Sequence, residues 1–333
     1  MISIVLPFRN AEATIRATLS SIRQQSFTGY EVIAIDDHST DGSASIVREW
    51  PDNRLKLVEN PGNGLVDALN HGIRIARFDY IARIDADDLM RTHRLARQYE
   101  MLHSDATWDL IGSRVSLFPQ PLIGAGYREY IRWQNQLITE TDIQLQRFVE
   151  SPLAHPSVMF RKQSVIDAGG YRQGDFPEDY ELWLRMIDKG MRLGKCHEVL
   201  LDWRESATRL SRNHPAYCRS AFDRLRAEYL DRLTVLRHRE VVYWGAGRKT
   251  RLRAKHLIER GIQPCRWIDI DPRKIGNQIA GVAVEPPEYL QTKAKQAKPF
   301  VLVYVTNHGA RELIQRQLEM DGYQMGLDYL AVG

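Results

Sequence analysis

Along the first hundred residues, short apolar runs alternate with stretches whose apolar positions recur at helical spacing. Residues 2–6 form a continuous apolar run of the kind a buried strand needs, and Pro7 is predicted to end it. Asn10 stands at an N-cap position ahead of Ile15, Leu19 and Ile22, which share one helical face. Residues 31–35 predict a second strand, followed by a polar loop over 36–42 and a helix carrying Ile46, Val47 and Trp50. A third strand at 55–58 leads through the turn Asn60-Pro61-Gly62-Asn63-Gly64 to a helix burying Leu65, Leu69 and Ile73, and residues 80–84 supply a fourth strand. This alternation predicts an α/β fold with a mostly parallel sheet covered by helices. The strands end in polar loops on one sheet edge, where open α/β sheets bind ligands.

The fourth strand runs into Asp85-Ala86-Asp87-Asp88, three carboxylates within four residues. Two ionised carboxylates about 4 Å apart repel by roughly 4 kcal/mol at an effective dielectric near 20, so a positive partner is expected there. Asp85 and Asp87 lie two apart and can point to one side of an extended segment. Oxygen-only donors suit Mg²⁺ or Mn²⁺. Local physics leaves a second reading open, a solvated acidic loop capping the next helix. A calcium loop is excluded: Asp37-x-Ser39-x-Asp41-Gly42 starts like one, but Arg48 occupies the twelfth position, where a bidentate Glu is required.

At 333 residues the chain is long enough for about two domains. With 43% hydrophobic and 26% charged residues, it has the composition of an ordinary globular protein. No apolar run reaches the length of a membrane span and no charged leader precedes the first strand, so a cytoplasmic location is predicted. Cys196, Cys218 and Cys265 match no zinc or disulfide spacing, which fits a reducing compartment. The formal net charge of +4 favours phosphate-bearing ligands or an anionic membrane surface, but no basic stripe with interleaved aromatics suggests nucleic acid.

After a predicted strand at 110–117, a helical pattern runs through Tyr130, Trp133, Leu137 and Ile138. Then come His155-Pro156-Ser157-Val158-Met159-Phe160 and Pro177-Glu178-Asp179-Tyr180-Glu181-Leu182-Trp183. Pro177 suits a first helical position and the acids suit the positive helix end, while Tyr180, Leu184, Ile187 and Met191 form a buried stripe. Local physics therefore accounts for Glu178 and Asp179 without any catalytic role. A strand at 196–202 precedes the donor-rich segment 203–214.

Four ordered motifs carry a resemblance: Ser3-Ile4-Val5-Leu6-Pro7-Phe8-Arg9-Asn10, Ala34-Ile35-Asp36-Asp37-His38-Ser39-Thr40-Asp41-Gly42, Asn63-Gly64 with Ala68-Leu69-Asn70-His71-Gly72-Ile73, and Arg83-Ile84-Asp85-Ala86-Asp87-Asp88. Together they resemble family 2 glycosyltransferases over about residues 1–215. The resemblance implies a GT-A fold, a nucleotide-sugar donor with UDP-sugars favoured, a glycan or lipid-linked saccharide acceptor, a bound Mn²⁺ or Mg²⁺, and inversion at the anomeric carbon. It places the donor against Pro7, Phe8, Asn10, Asp36, Asp37, Asn63, Gly64, Asp85, Ala86 and Asp87, with Asp85 and Asp87 as metal ligands. Glu178-Asp179 is similar to the family's catalytic-base motif, which implies Asp179 as base and Glu178 as the fallback. His155, Trp183, Arg204 and His214 are the candidates for acceptor or diphosphate contacts, with a packed His155 and an exposed basic loop as alternatives.

Two rival readings remain. A nucleotidyltransferase joins the same parts, but usually places a glycine-rich loop where this chain has Pro7-Phe8-Arg9-Asn10. A nucleotide-sugar-binding protein without turnover is the other.

Residues 215–239 read as one charged helical connector between a domain at 1–214 and a small Rossmann-like domain at 240–333. In the latter, Gly245-Ala246-Gly247 follows a strand and Asp269 lies 24 residues after the first glycine, but Thr250 replaces the third glycine. NAD(P) is not expected there. Packing, oligomerisation as a homodimer or acceptor presentation is the expected role of this domain. Peripheral contact at the inner face of a membrane is compatible with a lipid-linked acceptor.

Overall fold

The structure, a computed structural model, describes residues 1–120, 123–206, 214–294, 297–306 and 309–333. The chain packs as two units, Met1–Gln144 with Ser151–Asn213, and Leu145–Glu150 with His214–Gly333. The short stretch Leu145–Glu150, which the sequence reading places in the first domain, folds with the second unit, where Phe148 O accepts from the Gly333 N–H at 2.8 Å.

In the first unit, β1 (Ile2–Phe8), β2 (Tyr30–Asp36), β3 (Leu55–Glu59) and β4 (Tyr80–Arg83) are parallel and alternate with α1 (Ile15–Arg23), α2 (Ser43–Arg48) and α3 (Leu65–Ile75). The chain continues through β5 (Leu89–Met90), α4 (Arg94–Ser104), β6 (Trp108–Phe118), α5 (Ala125–Gln136), α6 (Glu140–Gln146), β7 (Met159–Arg161), α7 (Lys162–Ala168), α8 (Glu178–Asp188) and β8 (Arg192–Arg204). The sheet order is β3-β2-β1-β4-β7-β6-β8-β5. Alternate residues of β1 feed cores on both faces: Ile4, Leu6 and Phe8 pack with α1 and α2, while Val5 packs with Leu69 and Ile73 of α3 and with Trp183.

Pro7 does not end β1; it pairs in register with Ile35. The pairing of β1 with β4 stops at Val5, so Pro7 meets a ladder on one side only and its missing N–H costs no bond. Nor does Asn10 cap α1. It adopts a left-handed φ of 51°, and α1 starts five residues later. Gly72 brings α3 close to the sheet: a Cβ there would lie 2.7 Å from Val5 Cγ1 and 2.9 Å from Ile35 Cδ1. Gly72→Ala is expected to destabilise this unit by about 1–3 kcal/mol through overpacking, read as a lowered Tm by calorimetry.

The second unit contains α9 (Arg219–Asp231), α10 (Val235–His238), β9 (Val241–Trp244), α11 (Arg248–Ile258), β10 (Arg266–Ile268), β11 (Gln278–Ile279), β12 (Val282–Glu285), α12 (Glu288–Ala294), β13 (Phe300–Val303), α13 (Ala310–Met320) and β14 (Tyr329–Ala331). Residues 215–239 are therefore not one helix: a 3-10 turn at Pro215–Tyr217 precedes α9, and the chain breaks again before α10. The sheet order is β11-β12-β10-β9-β13-β14, with only β11 antiparallel, which is the 3-2-1-4-5 order of an open doubly wound sheet. Asp269 does not stand free for a ribose. Its carboxylate accepts from the Ala246 N–H (2.8 Å) and from Lys274 Nζ (2.9 Å). Thr250 fills the space where a Gly245 side chain would sit, its Oγ1 2.9 Å from that Cβ position. The last helix, α13, begins after Gly309.

Candidate active site

Because β1 to β4 are parallel, their carboxyl ends at Phe8, Asp36, Glu59 and Arg83 deliver four loops to one sheet edge. Asn10 ties the first loop to the second: its Oδ1 accepts from the Thr40 N–H at 2.8 Å, and its own N–H donates to Ser39 Oγ at 3.1 Å. Asp36 accepts from the Ser39 N–H at 2.9 Å and remains half-buried. Asp37 is buried, and its Oδ1 accepts from Asn60 Nδ2 (2.7 Å) and the Gly64 N–H (2.8 Å), so it knits the second and third loops together. That bond needs Gly64 at φ 85°, a conformation glycine adopts without strain. Asn63 is exposed on the same turn, whereas Pro7 and Phe8 are buried beneath the loops.

The acidic loop between β4 and β5 is clamped from both sides. Thr14 and Thr18 hydroxyls of the α1 segment donate to Ala86 O at 3.0 and 2.9 Å. From the end of β8, the Arg204 N–H donates to Asp88 Oδ1 (2.7 Å) and its Nε donates to Asp87 O (2.6 Å), while its guanidinium lies over Phe118. Arg204 therefore holds the loop through the Asp87 carbonyl and the Asp88 side chain. So constrained, Asp85, Asp87 and Asp88 each present a carboxylate oxygen, all within 4.8 Å of one another. Three hard oxygen donors at that spacing fit a divalent cation such as Mg²⁺ or Mn²⁺. Asp88 was not among the expected ligands.

Two buried arginines oppose these acids. Arg83 is 1% exposed and pairs with Asp85 at 2.5 Å. Burial pulls its pKa down, but Asp85 outweighs that and raises it, so Arg83 is charged. Its Nε and Nη1 have no hydrogen-bond partner among the described residues. Arg94, fully buried, donates to Arg83 O at 2.6 Å, and burial lowers its pKa to about 9.

Antiparallel β7 pairs Met159 with Ala82, which sets the preceding 3-10 turn, His155–Ser157, at the same edge. His155 shares a hydrogen bond with Tyr171 Oη through Nε2 (3.0 Å) and lies 3.4 Å from Glu178 Oε1 through Nδ1. Burial lowers the His155 pKa, so the imidazole is neutral. His155 is thus a packed histidine that positions Glu178. Asp179, next in α8, is half-buried and accepts from the Tyr180 N–H at 2.7 Å. Desolvation, then repulsion from Glu178, hold its carboxyl well above the usual carboxylate range, with Arg83 pulling the other way. Asp85 in turn acts on His155 and Tyr171, so the acidic loop and the acid pair share one electrostatic neighbourhood.

One expected contact falls elsewhere. Trp183 is 0% exposed and packs edge-on to His155 with ring centroids 6.0 Å apart, so it stands behind the site rather than facing an acceptor. His214 belongs to the second unit, where its Nδ1 accepts from the Ala216 N–H. Within the donor-rich segment, residues 207–213 lie outside the described residues. Arg83 and Tyr171 were missed as site residues. The available signal for Arg83 was a lone cation inside the apolar strand Tyr80-Ile81-Ala82-Arg83-Ile84.

Comparisons with known proteins bear on the family and the fold. A family model described as Glycosyl transferase family 2 matches residues 3–169. EpsE of Bacillus subtilis (strain 168) is 30% identical over 223 residues, 65% of this chain and 77% of its own length. The UDP-Glc:alpha-D-GlcNAc-diphosphoundecaprenol beta-1,3-glucosyltransferase WfgD of Escherichia coli is 26% identical over 220 residues, 64% of this chain and 80% of its own. Among solved structures, S. aureus TarS 1-349 in complex with UDP-GlcNAc aligns with a TM-score of 0.53 at 16% identity, covering 69% of this chain and 72% of that one, a likeness of fold. With the family model spanning half the chain and the sheet built as in GT-A enzymes, this protein is a glycosyltransferase of family 2.

Proposed function

We propose that the chain transfers a sugar from a nucleoside-diphosphate donor, a UDP-sugar, to a hydroxyl of a lipid-linked saccharide, with inversion and with Asp179 as the base. The observation that carries this reading is the meeting, at one sheet edge, of the Asp85–Asp87–Asp88 cluster and the Glu178–Asp179 pair around the buried Arg83. The choice of donor and acceptor leans on WfgD, whose name specifies UDP-Glc and GlcNAc-diphosphoundecaprenol.

In this mechanism the acceptor oxygen attacks the anomeric carbon and the bond from that carbon to the diphosphate oxygen breaks. The leaving nucleoside diphosphate takes the electron pair, and the hydroxyl proton passes to the Asp179 carboxylate. The elevated pKa of Asp179 makes it a stronger base than an exposed carboxylate, and Glu178, held by His155, sustains that elevation. Asp85, Asp87 and Asp88 would hold a divalent ion, which when bound supplies neutralisation of charge on the leaving diphosphate. Asn10, Asp37 and Gly64 keep the donor loops in a single arrangement.

The test is transfer from a panel of UDP-sugars onto a lipid-diphosphate saccharide, with nucleoside diphosphate release and product anomer as readouts. Release of UDP, loss on chelation, recovery with Mn²⁺ and a product of inverted configuration are expected. A retained configuration, or pyrophosphate in place of UDP, would overturn the mechanism. Independently of turnover, UDP with Mn²⁺ is expected to raise Tm, by about 2.7 kcal/mol of added stability at a hundredfold excess over Kd, and UDP alone by less.

A further inference from the structure

We propose that the outward face of α11 in the second unit is a docking surface for anionic phospholipid bilayers. This unit holds 21 Lys and Arg against 14 Asp and Glu, whereas the first is net acidic, so the protein's positive charge is concentrated here. α11 contains five cations, Arg248, Lys249, Arg251, Arg253 and Lys255, and no acid. Its inner stripe, Thr250, Ala254 and Leu257, is buried against the unit, and Arg253 turns inward toward Asp223.

At 100° per residue the opposite face centres on Leu252, with Arg248 and Lys249 one turn before it, Lys255 one turn after, and Arg251 beside it. Leu252 is 60% exposed. Arg248, Lys249 and Arg251 are exposed and make no side-chain hydrogen bond or ion pair among the described residues, and of the outer cations only Lys255 has a partner, Glu259 at 3.5 Å. Just after β10, beside the Asp269 that holds Ala246 ahead of the helix, Ile270 is 75% exposed.

Exposed cations surrounding a protruding leucine suit a bilayer surface better than a nucleic acid. The cations meet lipid phosphates while the leucine enters the boundary of the acyl region, whereas a phosphate backbone offers nothing for the leucine to enter. The surface belongs to the second unit alone and requires neither donor nor turnover. Its failure is therefore separable from failure of the proposed transfer reaction.

The experiment is cosedimentation of the full chain with vesicles of phosphatidylcholine alone or mixed equally with phosphatidylglycerol, without donor. Binding to the mixed vesicles only, weakened by 0.5 M salt, is expected. The triple variant R248Q/K249Q/R251Q should partition about a hundredfold less, and Leu252→Ser several-fold less. Both sets of side chains are exposed, so circular dichroism and UDP release with a soluble acceptor should match the parent chain. Equal binding to both vesicle types, unchanged partition of the triple variant, or binding to duplex RNA in place of vesicles would each overturn the proposal.

Discussion

Asp179→Asn is expected to lower sugar transfer by at least a hundredfold and, at neutral pH, to make the fold more stable. The rate loss follows from the role proposed for Asp179 as base: an amide keeps the side chain's shape but cannot accept the acceptor's proton, and loss of a general base typically costs about 10²–10⁴. The gain in stability follows from burial. Desolvation and Glu178 raise the Asp179 pKa in the folded state. An acid raised in this way contributes stability that is present below its unfolded pKa, about 3.9, and lost as pH climbs through the folded value. At neutral pH the native protein therefore carries a penalty that Asn removes. Melting temperatures of the two proteins should coincide below about pH 4 and separate above it, the variant melting a few degrees higher. A rate loss with a lowered Tm at neutral pH would falsify this assignment. The same elevation places the acid limb of kcat/KM above the ordinary carboxylate range, and Glu178→Gln should move that limb down.

Arg83→Met should produce the largest loss of stability of any single change in the site, about 3 kcal/mol. Removing one partner of a buried ion pair typically costs about 3–5 kcal/mol, and the lower end applies because Asp85 remains 31% exposed and can recover some water. The effect on function has a sign that a merely structural residue would not give. Arg83 lowers the Asp179 pKa, so without it the acid limb of the pH profile should move up, opposite to the shift in Glu178→Gln. Arg83→Lys keeps the charge and loses the planar fork, so it should restore the limb more fully than the Tm. If the limb stays in place in Arg83→Met, Arg83 is a packing residue and nothing more.

These two residues show a conflict built into the site. Glu178 repels Asp179, and the three acids of the loop stand within 4.8 Å of one another; the buried Arg83 acts on both groups, lowering the Asp179 pKa and pairing with Asp85. Stability lost at a site to keep a group reactive is a recurrent trade-off, and under the proposed mechanism it is concentrated here in a few charged side chains.

Much of this was legible in the chain itself. The alternation of apolar runs with helical stripes specifies parallel strands and covering helices, because a period of 2 or 3.6 is a local property of the sequence. The order of the Asp36-Asp37, Asn63-Gly64, Asp85-Ala86-Asp87-Asp88 and Glu178-Asp179 motifs was legible for the same reason. Periodicity says which face a residue takes, not what it meets there. The pairing of β7 with β4 brings His155 and the start of α8 to the acidic loop across about a hundred residues of chain, and only the tertiary structure could decide that. The same holds for Asp37 spent on Asn60 and Gly64, for Trp183 buried behind His155, for Pro7 admitted to β1 because β4 stops short, and for Arg83 as the counter-charge. Each depends on neighbours distant in sequence, and on burial that turns a modest interaction between charges into a dominant one.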